Sequence, residues 1–179
     1  MLIFRNCFGY IDKYLSKNEM EYKKSYRDLE NLSKDDIDQL NYITLRGLNT
    51  KAKCIDVYDG DTVTIVVNFN NNYYKRKCRL YGIDSAEIRT KNEDEKKIAI
   101  MAKEYLSSLI LDKIIWCRCL SEDKYGRTLI EIYTRENDMI KQQNCVSNDL
   151  IKSGYAYEYD GGKKQYFDDW FDLDNVSIM

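Results

Sequence analysis

Three short segments of the sequence carry side chains suited to phosphate and metal chemistry. They are residues 59–62 (DGDT), 79–87 (RLYGIDSAE) and 123–127 (DKYGR). Carboxylates and carbonyls are the ligands that hard cations such as Ca²⁺ prefer. Arginine guanidinium groups match phosphate oxygens in charge and geometry. The segments therefore predict a cation site beside phosphate-binding groups, provided that the fold brings them together.

The residue types that are missing exclude several kinds of site. The sequence has no histidine, so a Ser-His or Cys-His nucleophile pair and a His-ligated zinc site are excluded. Its six cysteines include no Cys-x-x-Cys pair, which favours free thiols in a reducing compartment. Cys117 and Cys119 would face the same side of a strand. Any hydrolysis must therefore use a carboxylate to orient or deprotonate water.

From about residue 50 the sequence has the residue composition and turn signals that are typical of short strands. The pattern predicts a three-stranded meander over 51–58, 61–69 and 73–83, with turns at Asp59-Gly60 and at 70–72. A helix is predicted over 93–111, and two further strands are predicted over 114–120 and 128–133. A short helix that Ser147 caps and Gly154 ends follows them, and a last helical stretch is predicted over 163–173. Five short strands with a helix after the third indicate an α+β fold, an OB-type β-barrel with packed helices.

Residues 1–48 are predicted to form a helical N-terminal extension to a domain spanning 49–179. Within it, 19–32 has helical spacing, and Ser33 with Asp36 predicts the start of a second helix. The extension either packs on the domain or docks a protein or membrane partner. The chain shows no signal peptide or membrane-spanning stretch, a pattern that favours an intracellular protein, and a monomer is expected. Its formal net charge of -2 does not indicate binding of nucleic acid by charge alone.

In combination and in this order, the three segments and residues 148–156 (NDLIKSGYA) make the sequence resemble the staphylococcal nuclease (thermonuclease-like) family over about residues 50–172. The resemblance implies the OB barrel and a calcium-dependent endonuclease that hydrolyses DNA and RNA, with single strands preferred. It also implies products with 3′-phosphate ends. The alternative is a non-catalytic nucleic-acid or protein-binding module, because relatives such as the repeated domains of Tudor-nuclease proteins keep the barrel without the catalytic residues.

The resemblance also implies a role for each polar residue that matches the family pattern. Asp61, Asp84 and the backbone carbonyl of Ser85 match the Ca²⁺ ligands. The catalytic residues implied are the carboxylate that orients the attacking water and the two phosphate-binding arginines, namely Glu87, Arg79 and Arg127.

The sequence departs from the family pattern at two places. The family has proline before the glutamate, and Ala86 stands there in this chain, which predicts a looser loop around Glu87. The tyrosines that pack near the substrate in the family have no unique match. Tyr125, Tyr157 and Tyr159 are all weak candidates for stacking on a base, and packing is the competing interpretation for each.

Overall fold

A computed structural model of the chain describes residues 29–42 and 44–171. Its strands, in chain order, are β1 (Asn41–Tyr42), β2 (Asn49–Val57), β3 (Thr62–Phe69), β4 (Asn72–Leu80), β5 (Ile83–Ser85), β6 (Ile114–Glu122), β7 (Thr128–Tyr133) and β8 (Ala156–Glu158). The helices are α1 (Lys34–Asp38), α2 (Glu93–Ile110), α3 (Glu136–Lys141), α4 (Val146–Lys152) and α5 (Phe167–Trp170).

Five of these strands close into a barrel. Their order is β4-β3-β2-β6-β7, with antiparallel neighbours, and parallel pairing of β4 with β7 closes the ring. Inward-facing side chains such as Ile65, Ile115 and Ile130 fill its interior. The predicted α+β fold, a five-stranded barrel with packed helices, is thereby confirmed.

The β3–β4 hairpin has the sequence that a two-residue turn requires. Asn70 and Asn71 have φ values of 50° and 61°, and asparagine tolerates this left-handed region better than most residues. Phe69 pairs with Asn72 across the turn. The turn fixes a register in which Thr62 lies opposite Arg79, so two of the three polar segments become neighbours.

The predicted third strand divides at Gly82. This glycine has a φ of +80°, a conformation that side chains with a Cβ rarely adopt. The chain leaves the barrel there, and β5 pairs with β8 in a separate two-stranded sheet, where Asp84 lies opposite Tyr157. The sequence analysis predicted neither the break nor β8, because three-residue strands are too short to show a period.

Helix α2 agrees with the prediction to within one residue. Asn92 caps it by accepting hydrogen bonds from the backbone N–H groups of Asp94 and Glu95. Its buried face packs on the barrel through residues at helical spacing, namely Ile98, Ala99, Ala102, Leu106 and Ile110. Helix α2 therefore lies directly against the turn that carries Asp61, where Ala102 approaches Gly60.

The later helices correct two sequence predictions. Ser147 is not the N-cap of α4: Cys145 takes that position, and the Ser147 hydroxyl donates to the Tyr81 carbonyl at 3.1 Å. Gly154 follows α4 with a φ of 75°, as predicted. The stretch 163–173 forms only the short helix α5 in its described part, because the residues before it bond to β5 and β8 instead.

The described part of the predicted extension lies against the barrel. Ser33 and Asp36 form the predicted capping box of α1, Leu45 is buried in the core, and β1 pairs in parallel with β4. The predicted helix over 19–32 falls almost wholly outside the described residues, so the boundary at 48 stays a prediction. Among the helices that the structure describes, none has the length and apolar character needed to cross a bilayer.

The cysteines of the barrel are core residues. Cys54, Cys78, Cys117 and Cys119 are buried free thiols in one apolar cluster, and Cys117 and Cys119 face the same side of β6 as predicted. Burial raises the pKa of Cys119 to about 12, so this thiol stays protonated and unreactive near neutral pH.

Candidate active site

The three polar segments converge on one cavity at the end of the barrel. Its volume is about 770 Å³. The predicted site residues that line it are Asp61, Arg79, Ser85, Glu87, Arg127, Tyr125 and Tyr159. Asp84 is buried and does not line the cavity itself, but it contacts two residues that do, Arg79 and Lys164. The chemistry-bearing residues are therefore assembled, although they come from segments far apart in sequence.

Arg79 joins the two predicted metal ligands. Its Nη1 lies 2.9 Å from Asp61 Oδ2, and its Nη2 donates to Asp84 Oδ1 and, at 3.2 Å, to the Ile83 carbonyl. Both aspartates are 3% exposed. A single guanidinium thus holds two buried carboxylates close together, and neither carboxylate could be buried this deeply without a cationic partner.

Asp61 is held by the local turn as well as by Arg79. Its backbone N–H donates to Asp59 Oδ1 at 3.1 Å, and its Oδ1 accepts from the Thr62 hydroxyl at 2.8 Å. Burial raises the pKa of Asp61 from 3.8 to about 7, even though Arg79 opposes the shift. A second cation at this carboxylate would therefore be stabilising.

Arg127 reaches the cavity from the loop after β6. Asp123 Oδ1 accepts from the backbone N–H groups of Tyr125 and Arg127, and Asp123 Oδ2 accepts from Arg127 Nε at 2.7 Å. Arg127 Nη1 donates to the Thr62 hydroxyl at 3.1 Å. Neither of these two side-chain hydrogen bonds uses the Nη2 atom of Arg127. Thr62 consequently links Arg127 to Asp61 through two hydrogen bonds.

Glu87 lies at the rim of the cavity, and helix α2 anchors its loop. The backbone N–H of Glu87 donates to Glu95 Oε1 at 3.3 Å, and the Thr90 hydroxyl donates to Glu95 Oε2. Ala86, which replaces the family proline, is buried against Ile98 and Ala99. These contacts tie the loop to α2 without the proline. The Glu87 side chain is 56% exposed, so water has access to it.

The structure separates the three tyrosines that the sequence could not distinguish. Tyr157 is buried, packs on Trp170 with ring centroids 5.0 Å apart, and donates its hydroxyl to Asp84 Oδ2 at 2.8 Å. It therefore lacks the free face that base stacking requires. Tyr159 lines the cavity below the Arg79 guanidinium, and Tyr125 is 73% exposed beside Arg127. Base stacking by Tyr159 and Tyr125 therefore stays a prediction.

Lys164 is a site residue that the sequence analysis missed. Its Nζ lies 3.0 Å from Asp84 Oδ1 and 2.6 Å from Glu87 Oε1. Burial lowers the pKa of Lys164, but the hydrogen bonds to Glu87 and Asp84 outweigh it and raise that pKa above its ordinary value. In the sequence it is one of two adjacent lysines at the start of the stretch predicted to be helical, and nothing distinguishes it from a solvated residue.

The donor chemistry at the base of the cavity fits a hard cation. Asp61, in the turn before β3, and Asp84, on β5, offer carboxylate oxygens, and Ser85, which follows Asp84 in the sequence, lines the cavity. Within the described ranges, no group of three or more His, Cys, Asp or Glu side chains forms a metal cluster. A cation here would need backbone carbonyl, water or phosphate oxygens to complete its shell, as Ca²⁺ and Mg²⁺ commonly do.

The barrel and this cavity define the class of protein, an OB-type barrel with a cavity at one end that is lined by arginines and carboxylates. A family model described as "Staphylococcal nuclease homologue" matches residues 77–173, more than half of the chain. The chain therefore belongs to the staphylococcal nuclease family. The matched range contains Arg79, Asp84, Glu87 and Arg127 but begins after Asp61, which is joined to the site by its ion pair with Arg79.

One curated relative extends the comparison to a bacterial protein. An "Uncharacterized endonuclease" of Haemophilus influenzae is 27% identical over 118 residues, which is 66% of this chain and 55% of the relative. The chain thus spans about half the length of the curated relative that it matches.

Proposed function

We propose that this chain is a calcium-dependent endonuclease that hydrolyses phosphodiester bonds in DNA and RNA and leaves 3′-phosphate ends. One observation supports this proposal most directly: two buried aspartates, two arginines and an exposed glutamate meet at one cavity. Membership of the family supports assigning these residues to one reaction, the hydrolysis of a phosphodiester bond. The barrel fold alone would not support that assignment, because one fold hosts many functions.

Asp61, Asp84 and the Ser85 carbonyl would hold the calcium ion. When bound, calcium supplies positive charge beside the phosphate and so reduces its repulsion of a nucleophile. The fixed positions of the two carboxylates, set by the turn 59–62 and by the β5–β8 pair, reduce the reorganisation that cation binding requires.

The arginines bind and orient the phosphodiester. In the structure both are engaged by carboxylates, which holds their guanidinium groups at the cavity wall instead of in solvent. Arg127 Nη2 takes no part in the bonds to Asp123 and Thr62, so it can donate to a phosphate oxygen without breaking them. Such donors stabilise charge as it builds on the phosphoryl oxygens in the transition state.

Glu87 orients the attacking water and accepts its proton. The water oxygen then bonds to phosphorus, the bond from phosphorus to the 5′ oxygen breaks, and that oxygen takes up a proton as it leaves. The exposure of Glu87 supports this role, because a buried carboxylate would have no water to activate. Its Oε1 accepts from Lys164, which keeps the carboxylate at the rim in a defined position.

The cavity favours the sugar-phosphate backbone over the base edges. Its lining combines arginines and lysines with the rings of Tyr125 and Tyr159, which suit phosphates and base faces respectively. Contacts of this kind carry little sequence information. Single strands, whose bases are free to stack, are therefore the proposed substrates in both DNA and RNA.

Cleavage of end-labelled DNA and RNA with calcium, magnesium or excess chelator tests the proposal. We expect calcium-dependent cleavage, and the Glu87→Gln variant should lose activity on the order of 10²- to 10⁴-fold. Glu104→Gln, an exposed change on α2, is the matched control. Full cleavage in excess chelator would reject the calcium assignment, and oligonucleotide binding without cleavage would favour the non-catalytic module.

A further inference from the structure

Three side chains already donate to the oxygens of Asp84 before any cation binds. Oδ1 accepts from Arg79 Nη2 and lies 3.0 Å from Lys164 Nζ, and Oδ2 accepts from the Tyr157 hydroxyl. A carboxylate offers about four lone-pair sites. The three donors leave about one of these sites, so a cation near Asp84 competes with them, and a cation that coordinates both oxygens must displace a donor.

The three donors differ in how easily they can leave. Arg79 lies on β4 and Tyr157 on β8, and both side chains are held by further contacts in the interior. Lys164 lies in the segment between β8 and α5, which has no regular secondary structure, and its side chain is 44% exposed. Its flexible four-carbon stem can move into solvent at little cost.

The same ammonium also holds Glu87. Its Nζ bridges Asp84 Oδ1 and Glu87 Oε1, which places a monovalent cation between a predicted metal ligand and the predicted water-orienting carboxylate. Without it, Arg79 would be the remaining ion-pair partner of Asp61 and Asp84, and Glu87 would have no ion pair among the described contacts. Lys164 therefore neutralises charge that a divalent ion would otherwise neutralise.

We propose that Lys164 is a built-in counter-cation that competes with the divalent metal ion for Asp84, and so sets the affinity of the site for that ion. This inference rests on the proposed function, because it takes Asp84 as a metal ligand. Metal binding and release of the lysine are then one exchange. In the metal-free protein, Lys164 holds the two carboxylates in place. Because metal binding releases this lysine, it lowers the affinity of the site for the metal ion by the free energy of its own two ion pairs.

Lys163 provides a matched control one residue away. Its ammonium lies over the Tyr166 ring, 5.6 Å from the centroid, and it has no ion pair with Asp84 or Glu87 among the described contacts. Changing either lysine to methionine removes one positive charge and keeps most of the unbranched side chain, which becomes one atom shorter. A general effect of charge would act on both variants, whereas competition for Asp84 acts on Lys164→Met alone.

Calcium titration by calorimetry of the wild type, Lys164→Met and Lys163→Met tests the proposal. Partly exposed ion pairs contribute modestly, so we expect Lys164→Met to bind Ca²⁺ about threefold to tenfold more tightly than the wild type, and Lys163→Met to stay within about twofold. Binding by Lys164→Met where the wild type shows none supports the proposal equally. Unchanged or weaker binding by Lys164→Met overturns it.

A second measurement uses the wild-type protein, so it does not depend on the variant folding. The lysine ammonium NMR signal of Lys164 should shift towards that of a solvated lysine when calcium chloride is added, and the Lys163 signal should not. A Lys164 signal that stays unchanged while calcium binds overturns the proposal alone. Failure of all three proteins to bind calcium overturns the calcium assignment itself, and this inference with it.

Discussion

Gly60→Ala is predicted to damage the site through packing alone, without removing any reacting group. Gly60 lies in the turn between Asp59 and Asp61, and its φ is outside the left-handed region. A Cβ added there would lie 2.8 Å from both Ser85 Cβ and Ser85 Oγ, and 2.9 Å from Ala102 Cβ. Glycine is needed at this position because β5 and α2 approach the turn closely.

The size of the effect follows from these distances. Carbon atoms pack at about 3.5–4.0 Å, so the turn must move apart from β5 and α2 by roughly 0.6–1.2 Å. Overpacking of this kind costs about 1–3 kcal/mol of stability. The added methyl group would push the turn that carries Asp61 away from Ser85, and both residues belong to the proposed metal site. A shift of about 1 Å at a reacting centre can cost about 10²-fold in rate.

Urea unfolding and calcium-dependent cleavage, measured side by side, test this prediction. Gly162→Ala is the control, because its added Cβ would meet only Asp160 Oδ1, at 3.2 Å, and that side chain can move. Gly60→Ala should lose both stability and activity, while Gly162→Ala should keep its stability. The reasoning is refuted if Gly60→Ala unfolds within about 0.5 kcal/mol of the wild type and cleaves at the same rate.

Three further predictions concern the charged groups of the site. Arg127→Lys keeps the charge but loses the guanidinium fork, so kcat/KM should fall on the order of a hundredfold; an unchanged value in steady-state kinetics would exclude direct phosphate binding. Tyr157→Phe removes a donor to Asp84 and should cost about 1 kcal/mol in urea unfolding, and no loss would mean that this hydrogen bond is not formed. The pKa of Asp61 is raised from 3.8 to about 7, so its folded form holds a proton that the unfolded chain has released. Stability of the metal-free protein should therefore fall as pH rises from about 4 to about 7, and Asp61→Asn should flatten that slope in unfolding measured with chelator.

The sequence by itself determined the barrel and the residue types of its site. Strand-length runs of Val, Ile and Thr, the Asn70-Asn71 turn and the apolar face of α2 are local signals, because each depends on neighbours a few residues away. The same holds for the turn that holds Asp61 through Asp59 and for the loop that holds Arg127 through Asp123. Arginines and carboxylates in these segments therefore predicted phosphate and cation chemistry before any contact was known.

Tertiary structure alone decided which of these groups meet, and what they bond to. Asp84 depends on the pairing of β5 with β8, and Lys164 reaches it from about eighty residues later in the chain. The burial of Tyr157 and the close approach at Gly60 are likewise set by long-range packing. Contacts between distant segments leave no period or spacing in the sequence, because they depend on the path of the chain between them. For that reason the proposed cation ligands could be named from the sequence, but the lysine that we propose as their competitor could not.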